Sequence, residues 1–146
     1  MEHHHGKFFF ITNKDGARNN KLVVAPVAAY FPESEGRSSS LGEYIQWVDV
    51  RTYDASEQIE EVLPFKDHVA IFGRKRGVQQ LWIMSPEMSG GDREWREVQF
   101  PEPIYSVWAG PNCEFDSSSI RLGYSSPVTP KQVLDLDMTA NTFTLR

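Results

Sequence analysis

Apolar residues along this chain come in short runs separated by turn-forming clusters. From Ile59 onward there are four such runs: IEEVLPF (Ile59–Phe65), HVAIFG (His68–Gly73), VQQLWIM (Val78–Met84) and WREVQF (Trp95–Phe100). A second set follows: IYSVWAG (Ile104–Gly110), SIRLGYS (Ser119–Ser125), KQVLDLD (Lys131–Asp137) and TFTLR (Thr142–Arg146). The two sets open 45 residues apart, at Ile59 and Ile104. The runs are rich in β-branched and aromatic residues, the composition that fits a pleated surface. Four strands in about 40–45 residues is the length of one β-propeller blade.

A less regular copy of the plan precedes these two. FFFIT (Phe8–Thr12) and KLVVAPV (Lys21–Val27) read as strands, with turn chemistry at Asn13-Lys14-Asp15-Gly16 and a last strand inside Ile45–Tyr53. The polar stretch Pro32–Ser40 has no periodicity and reads as a surface loop, part of an insertion over 28–43. Within it, Tyr30–Leu41 is a candidate binding loop. Asp54–Glu61 is the one run with helical propensity. Ile59 is its single apolar side chain beyond alanine, so a loop or short turn is expected there. Clear alternation marks Val133, Leu134, Leu136 and Met138 around Asp135 and Asp137.

These patterns predict an all-β chain of about three four-stranded antiparallel blades, spanning 7–53, 59–100 and 104–146. Propellers close with about 4–8 blades, so three make an incomplete one. A blade must pack both faces on its neighbours, which explains strands apolar on more than one side. Three in a row leave two terminal faces and several edges open. An independent small β-sandwich is the alternative fold for this many strands.

Composition adds mostly exclusions. The 146 residues are 40% apolar and 24% charged, ordinary for a globular domain. A net charge of −5 argues against a nucleic-acid surface. The dense basic run, Arg74-Lys75-Arg76, precedes Gly77 between two strands and reads as a solvated turn. No apolar run approaches the ~18 residues of a membrane span. Cys113 stands alone, so no disulfide can form within the chain. With no signal peptide at Met1–Gly6, this places the chain in a reducing compartment, the cytoplasm.

Candidate chemistry is sparse. Gly123-Tyr124-Ser125-Ser126-Pro127 is the nearest string to a nucleophile elbow. It lacks the second glycine and leads into a strand rather than a helix, so Ser125 reads as a strand end. Cys113, in Gly110-Pro111-Asn112-Cys113, reads as a turn residue. His68 opens a strand and is expected at the surface. Three consecutive histidines, His3 to His5, cannot all face one ion. Asp135, Asp137 and Asn141 lack the spacing, the glycine and the terminal glutamate of a calcium loop. Trp47, Trp82, Trp95 and Trp108 fall in strand candidates, where core packing is the expected role. The expectation is no catalytic, cofactor-binding or metal-binding residue in this chain.

One resemblance changes the reading. Arg121-Leu122-Gly123-Tyr124-Ser125-Ser126-Pro127-Val128-Thr129-Pro130 with Leu134–Met138 (LDLDM) resembles the last propeller blade of the oligopeptidase B-like members of the prolyl oligopeptidase family of serine peptidases. Glu2-His3-His4-His5-Gly6 before FFFITN, the strand Asn20–Val27, and Phe65–Leu81 with its turn at Arg74–Gly77 resemble other parts of that domain, in the same order. The histidine triplet then reads as native sequence at a blade's start. The resemblance implies a seven-bladed propeller beside an α/β-hydrolase domain that cleaves short peptides, with preference for basic residues. The resemblance also implies that the propeller excludes large folded proteins. The Ser, Asp and His of the family's triad belong to the hydrolase domain, which would follow Arg146, so none maps here. The expectation is a substrate-gating fragment, non-catalytic alone, whose partners are the rest of the propeller, a hydrolase domain and short peptides. A non-catalytic interaction module is the alternative.

Overall fold

The computed structural model describes residues 2–4, 6–26, 47–85 and 95–146, and of 2–4 the backbone only. The expected insertion at 28–43, with the candidate loop Tyr30–Leu41, lies outside the described residues. Among the described residues twelve strands form three separate four-stranded sheets. The first sheet holds β1 (Glu2–His4), β2 (Lys7–Thr12), β3 (Lys21–Pro26) and β4 (Val48–Asp49). The second holds β5 (Glu57–Pro64), β6 (Val69–Lys75), β7 (Val78–Met84) and β8 (Arg96–Glu97). The third holds β9 (Ser106–Ala109), β10 (Ser119–Ser125), β11 (Gln132–Asp137) and β12 (Thr142–Leu145). Each sheet is an antiparallel meander in chain order. This is the predicted all-β set of three blades, not closed into a ring. The sandwich alternative falls, because a sandwich has two sheets.

Several boundaries differ from the sequence reading. The first sheet begins at β1, where His3 and His4 pair with Phe8 and Lys7. Asp54–Glu61 is not a loop: after a turn at Ala55–Ser56 the chain enters β5 at Glu57. Ile104 and Tyr105 are not strand residues, and β9 starts at Ser106. The long last-strand candidate Trp95–Phe100 shrinks to Arg96–Glu97, and in the described part of Ile45–Tyr53, residues 47–53, the strand is Val48–Asp49.

The sheets pack face to face, and the second is the filling. On its first-sheet side, Val62, Val69, Ile71, Trp82 and Met84 meet Phe9, Leu22, Val24 and Val50. On the other side, Ala70, Phe72, Leu81 and Ile83 meet Val107, Ile120, Leu122, Leu136 and Met138. Successive strand residues point to opposite faces, so β6 and β7 must be apolar at nearly every position to fill both interfaces. They are buried without a break from Val69 to Gly73 and from Gln80 to Met84.

Turns are set by local chemistry. Lys75 pairs with Val78, so β6 and β7 are joined by two residues, Arg76 and Gly77. Both have positive φ, 52° and 85°, the conformation of a hairpin turn that matches strand twist. The basic run is therefore a hairpin tip. Arg74 pairs with Glu60 at 2.8 Å and Lys75 with Glu97 at 2.9 Å. In β5 the register shifts between Ile59 and Glu61, a bulge that leaves Glu60 and Glu61 both exposed.

Candidate functional site

Of the residues singled out in the sequence, Cys113 and Asp135 line one cleft, and Ser125 and His68 do not line it. Ser125 ends β10 opposite Ser106. Cys113 is exposed. It lies in the β9–β10 connection, on the rim of a cleft of about 440 Å³ that Phe65, Asn112, Ser117, Arg121 and Arg146 help to line. Glu114 and Asp135 also line that cleft, and no histidine among the described residues does. Asp135 accepts from Arg121 at 2.9 Å and from Arg146 at 2.7 Å. Those guanidiniums, Arg121 foremost, hold its carboxyl down at about 2. Asp137 instead caps the next turn, accepting from the Thr139 and Ala140 amides. Asn141 has φ of 57° within that turn. Among the described residues no group of three His, Cys, Asp or Glu side chains could hold a metal ion.

Two expectations about single residues are corrected. His68 is not at the surface. Its ring is half-buried and its Nδ1 is enclosed without a hydrogen-bond partner. Burial pushes its pKa down. The tryptophans divide. Trp82 is core and Trp95 packs beside it at 5.7 Å between ring centroids. Trp47 and Trp108 are not core: each is more than a third exposed. Trp47 stacks on Phe10. Trp108 lies flat on Gly123, where a β-carbon would come within 2.0 Å of its ring, and Lys131 covers it at 5.2 Å. With the exposed Val133, Trp108 makes the outer face of the third sheet partly apolar.

The most ordered polar arrangement was missed in the sequence. It lies at the end of the third sheet where β9 begins, β10 turns into β11 and β12 finishes. Ser126 Oγ accepts from the Val128 and Thr129 amides, and the Ser126 amide donates to the Thr129 carbonyl. That closes the turn. Glu102, from the connection between the second and third sheets, then accepts from the hydroxyls of both Thr129 and Tyr124. These bonds, Thr129 first, hold the Glu102 pKa down. Tyr124, buried against Phe100 and Tyr105, is pushed up to about 12 by burial and by the Glu102 charge. The signal for this was the pair of prolines around Glu102 and the Thr129-Pro130 step, which fix backbone angles where side chains must meet. The Tyr-Ser-Ser and Thr-Pro string is thus a clamped turn, with Ser126 and Thr129 serving geometry rather than nucleophilic chemistry.

A model of the prolyl oligopeptidase N-terminal β-propeller domain matches residues 1–146. The chain belongs to that family. Protease 2 of Moraxella lacunata is 26% identical over 138 residues, covering 94% of this chain and 17% of that protein. Among solved structures, oligopeptidase B from Trypanosoma brucei, in a closed form with covalently bound antipain, superposes with a TM-score of 0.74 at 24% identity, covering 99% of this chain and 19% of its own. Oligopeptidase B from Leishmania major gives a TM-score of 0.75 at 22% identity, with the same coverage of 99% and 19%. The chain therefore spans less than a fifth of the length of these relatives. No helix among the described residues is long and apolar enough to cross a membrane.

Proposed function

We propose that this chain forms three consecutive blades of the propeller in an oligopeptidase B-like serine peptidase, as part of the wall that admits short peptides to a hydrolase domain. The chain itself is non-catalytic, and the chemistry comes from elsewhere in the longer polypeptide. One observation carries this reading. The middle sheet is buried on both faces, while the third sheet ends the stack with Trp108 and Val133 exposed on its outer face. A sheet with an apolar outer face fits a stack that continues. The single exposed Cys113 is compatible with a reducing, cytoplasmic setting.

The test compares this chain with the complete product of its gene on a short fluorogenic peptide bearing a basic residue before the scissile bond. The complete product should turn it over and be blocked by a serine-directed reagent, and the 146-residue chain should not. Turnover by the chain alone would overturn the non-catalytic assignment, and an inactive complete product would overturn the peptidase.

A further inference from the structure

Among the described residues two enclosed side-chain nitrogens have no hydrogen-bond partner, Trp95 Nε1 and His68 Nδ1. Only the second titrates near neutral pH. His68 stands directly before β6, two residues before Ala70, which packs against the third sheet. Among the described residues the charges that face it are Asp67 on its own turn, Arg96 on β8 and Asp137 at the end of β11. Arg96 crosses from the second sheet to the third. Its Nη2 donates to the Met138 carbonyl, and its Nη1 to the Thr139 carbonyl at 3.4 Å. Asp137 holds that turn by accepting from the Thr139 and Ala140 amides. The turn that carries His68 is tied in twice. The Phe65 amide donates to the His68 carbonyl at 2.7 Å, and the Lys66 amide donates across to the Phe115 carbonyl at 2.9 Å.

This arrangement suits one protonation state. A neutral imidazole carries one proton, and with that proton on Nε2 the enclosed Nδ1 needs no acceptor. An imidazolium carries two. Its Nδ1–H would stand enclosed with nothing to accept it, and its charge would oppose Arg96. Asp67 and Asp137 attract that charge, yet neither accepts from Nδ1 where the ring stands. The relief is to turn the ring out into water, which opens the Phe65–His68 turn and loosens the ties around it.

We infer that His68 is a pH-operated latch on the seam between the second and third sheets, closed when its ring is neutral and released when the ring is protonated. The latch goes beyond the peptidase reading and does not depend on it. Burial lowers the His68 pKa from 6.5, so the open form takes up the proton first. Opening therefore grows as pH falls below 6.5 and levels off below the closed-state value, by up to about tenfold per pH unit between them. The test is hydrogen exchange of the complete gene product from pH 7.5 to pH 5, corrected for the intrinsic exchange rate. The Phe65, Lys66, Thr139 and Ala140 amides should lose protection with that slope while β3 amides keep theirs. In His68→Gln the slope should vanish. Arg96→Gln should raise exchange at Thr139 and Ala140 already at pH 7.5. Protection that does not change with pH, that falls equally in β3, or that falls with the same slope in His68→Gln overturns the latch. Should His68→Gln fail to fold, the comparison of the seam amides with β3 in the unaltered protein decides it.

Discussion

Gly73 and Gly123 are both in mid-strand, and both are there because something else occupies the space of a side chain. A β-carbon on Gly73 would come 2.0 Å from the Gln58 carbonyl oxygen and 3.0 Å from the Trp82 ring. The first is backbone across the bulged β5 register and cannot yield. Gly73→Ala is expected to destabilise the fold by about 3 kcal/mol, at the upper end of overpacking costs, measured by denaturant unfolding. At Gly123 the obstacle is the Trp108 ring, which lies on an open face and can swing away. Gly123→Ala should cost less, and its signature should be increased acrylamide quenching of tryptophan fluorescence. His68 supplies a pH effect. Its partner-less Nδ1 is enclosed, and Asp67, Arg96 and Asp137 are the charges that face it. Burial, the largest influence, lowers its pKa from 6.5. The unfolded chain therefore takes up the proton first, and stability falls as pH drops below 6.5 toward the folded value. Thermal melts from pH 7.5 to pH 5 should show that fall, and His68→Gln should flatten it. None of this was legible in the sequence. His68 follows Lys66-Asp67 like a surface residue, and its burial is set by tertiary packing rather than by its neighbours in sequence.

At the scale of elements, the sequence was clearest where one strand serves two interfaces. β6 and β7 are continuous apolar runs because residues of both parities are buried. The turn between them was legible as a solvated one at Arg74–Gly77, and the structure makes it a two-residue hairpin turn of Arg76 and Gly77. Ile59–Phe65 read as a strand, and the start of β5, Glu57 and Gln58, was hidden for the opposite reason. Its edge position and bulge expose Gln58, Glu60 and Glu61, and Glu57 is buried only because Arg51 and Lys75 neutralise it. A strand that opens on Glu57 and Gln58 looks like a polar connection there until those partners are in place. The two-faced packing makes a directional prediction. Leu81 belongs to the interface with the third sheet and Trp82 to the interface with the first. Each alanine variant should cost about 2–5 kcal/mol. In native-state hydrogen exchange, Leu81→Ala should accelerate β10 and β11 amides more than β3 amides, and Trp82→Ala the reverse. The clamp can be tested the same way. Glu102→Ala should speed exchange at the Val128 and Thr129 amides while leaving β6 protected. Unchanged exchange there would mean that Ser126 alone holds the turn.

At the scale of the molecule, three blades create an unbalanced object. Every interior strand of the second sheet is covered, yet the third sheet turns Trp108, Val133 and the Arg121–Asp135–Arg146 ion pairs outward. The incompleteness was legible in the sequence as a count, since three four-stranded units cannot make a ring of ~4–8. Which residues the open face presents was not, because the alternation that hides Leu134 and Leu136 exposes Val133 yet buries Asp135, and only the positions of Arg121 and Arg146 tell the two apart. That face decides how the isolated chain behaves in solution. The Trp108 ring and Val133 side chain offer apolar area flanked by strand edges, and such faces associate unless covered. The isolated 146-residue chain should therefore show concentration-dependent association in sedimentation velocity. Replacing Trp108 by Ser and Val133 by Lys together should shift it toward monomer, because both changes add polarity on the open face and neither touches the core that joins the second and third sheets. Salt should separate this from charge-driven association. An apolar face holds its partner as ionic strength rises, whereas contacts through Arg121, Asp135 and Arg146 weaken by screening. A chain that remains monomeric at all concentrations, with the double variant indistinguishable from it, would show that the outer face of the third sheet is not adhesive and that the stack needs no neighbour there.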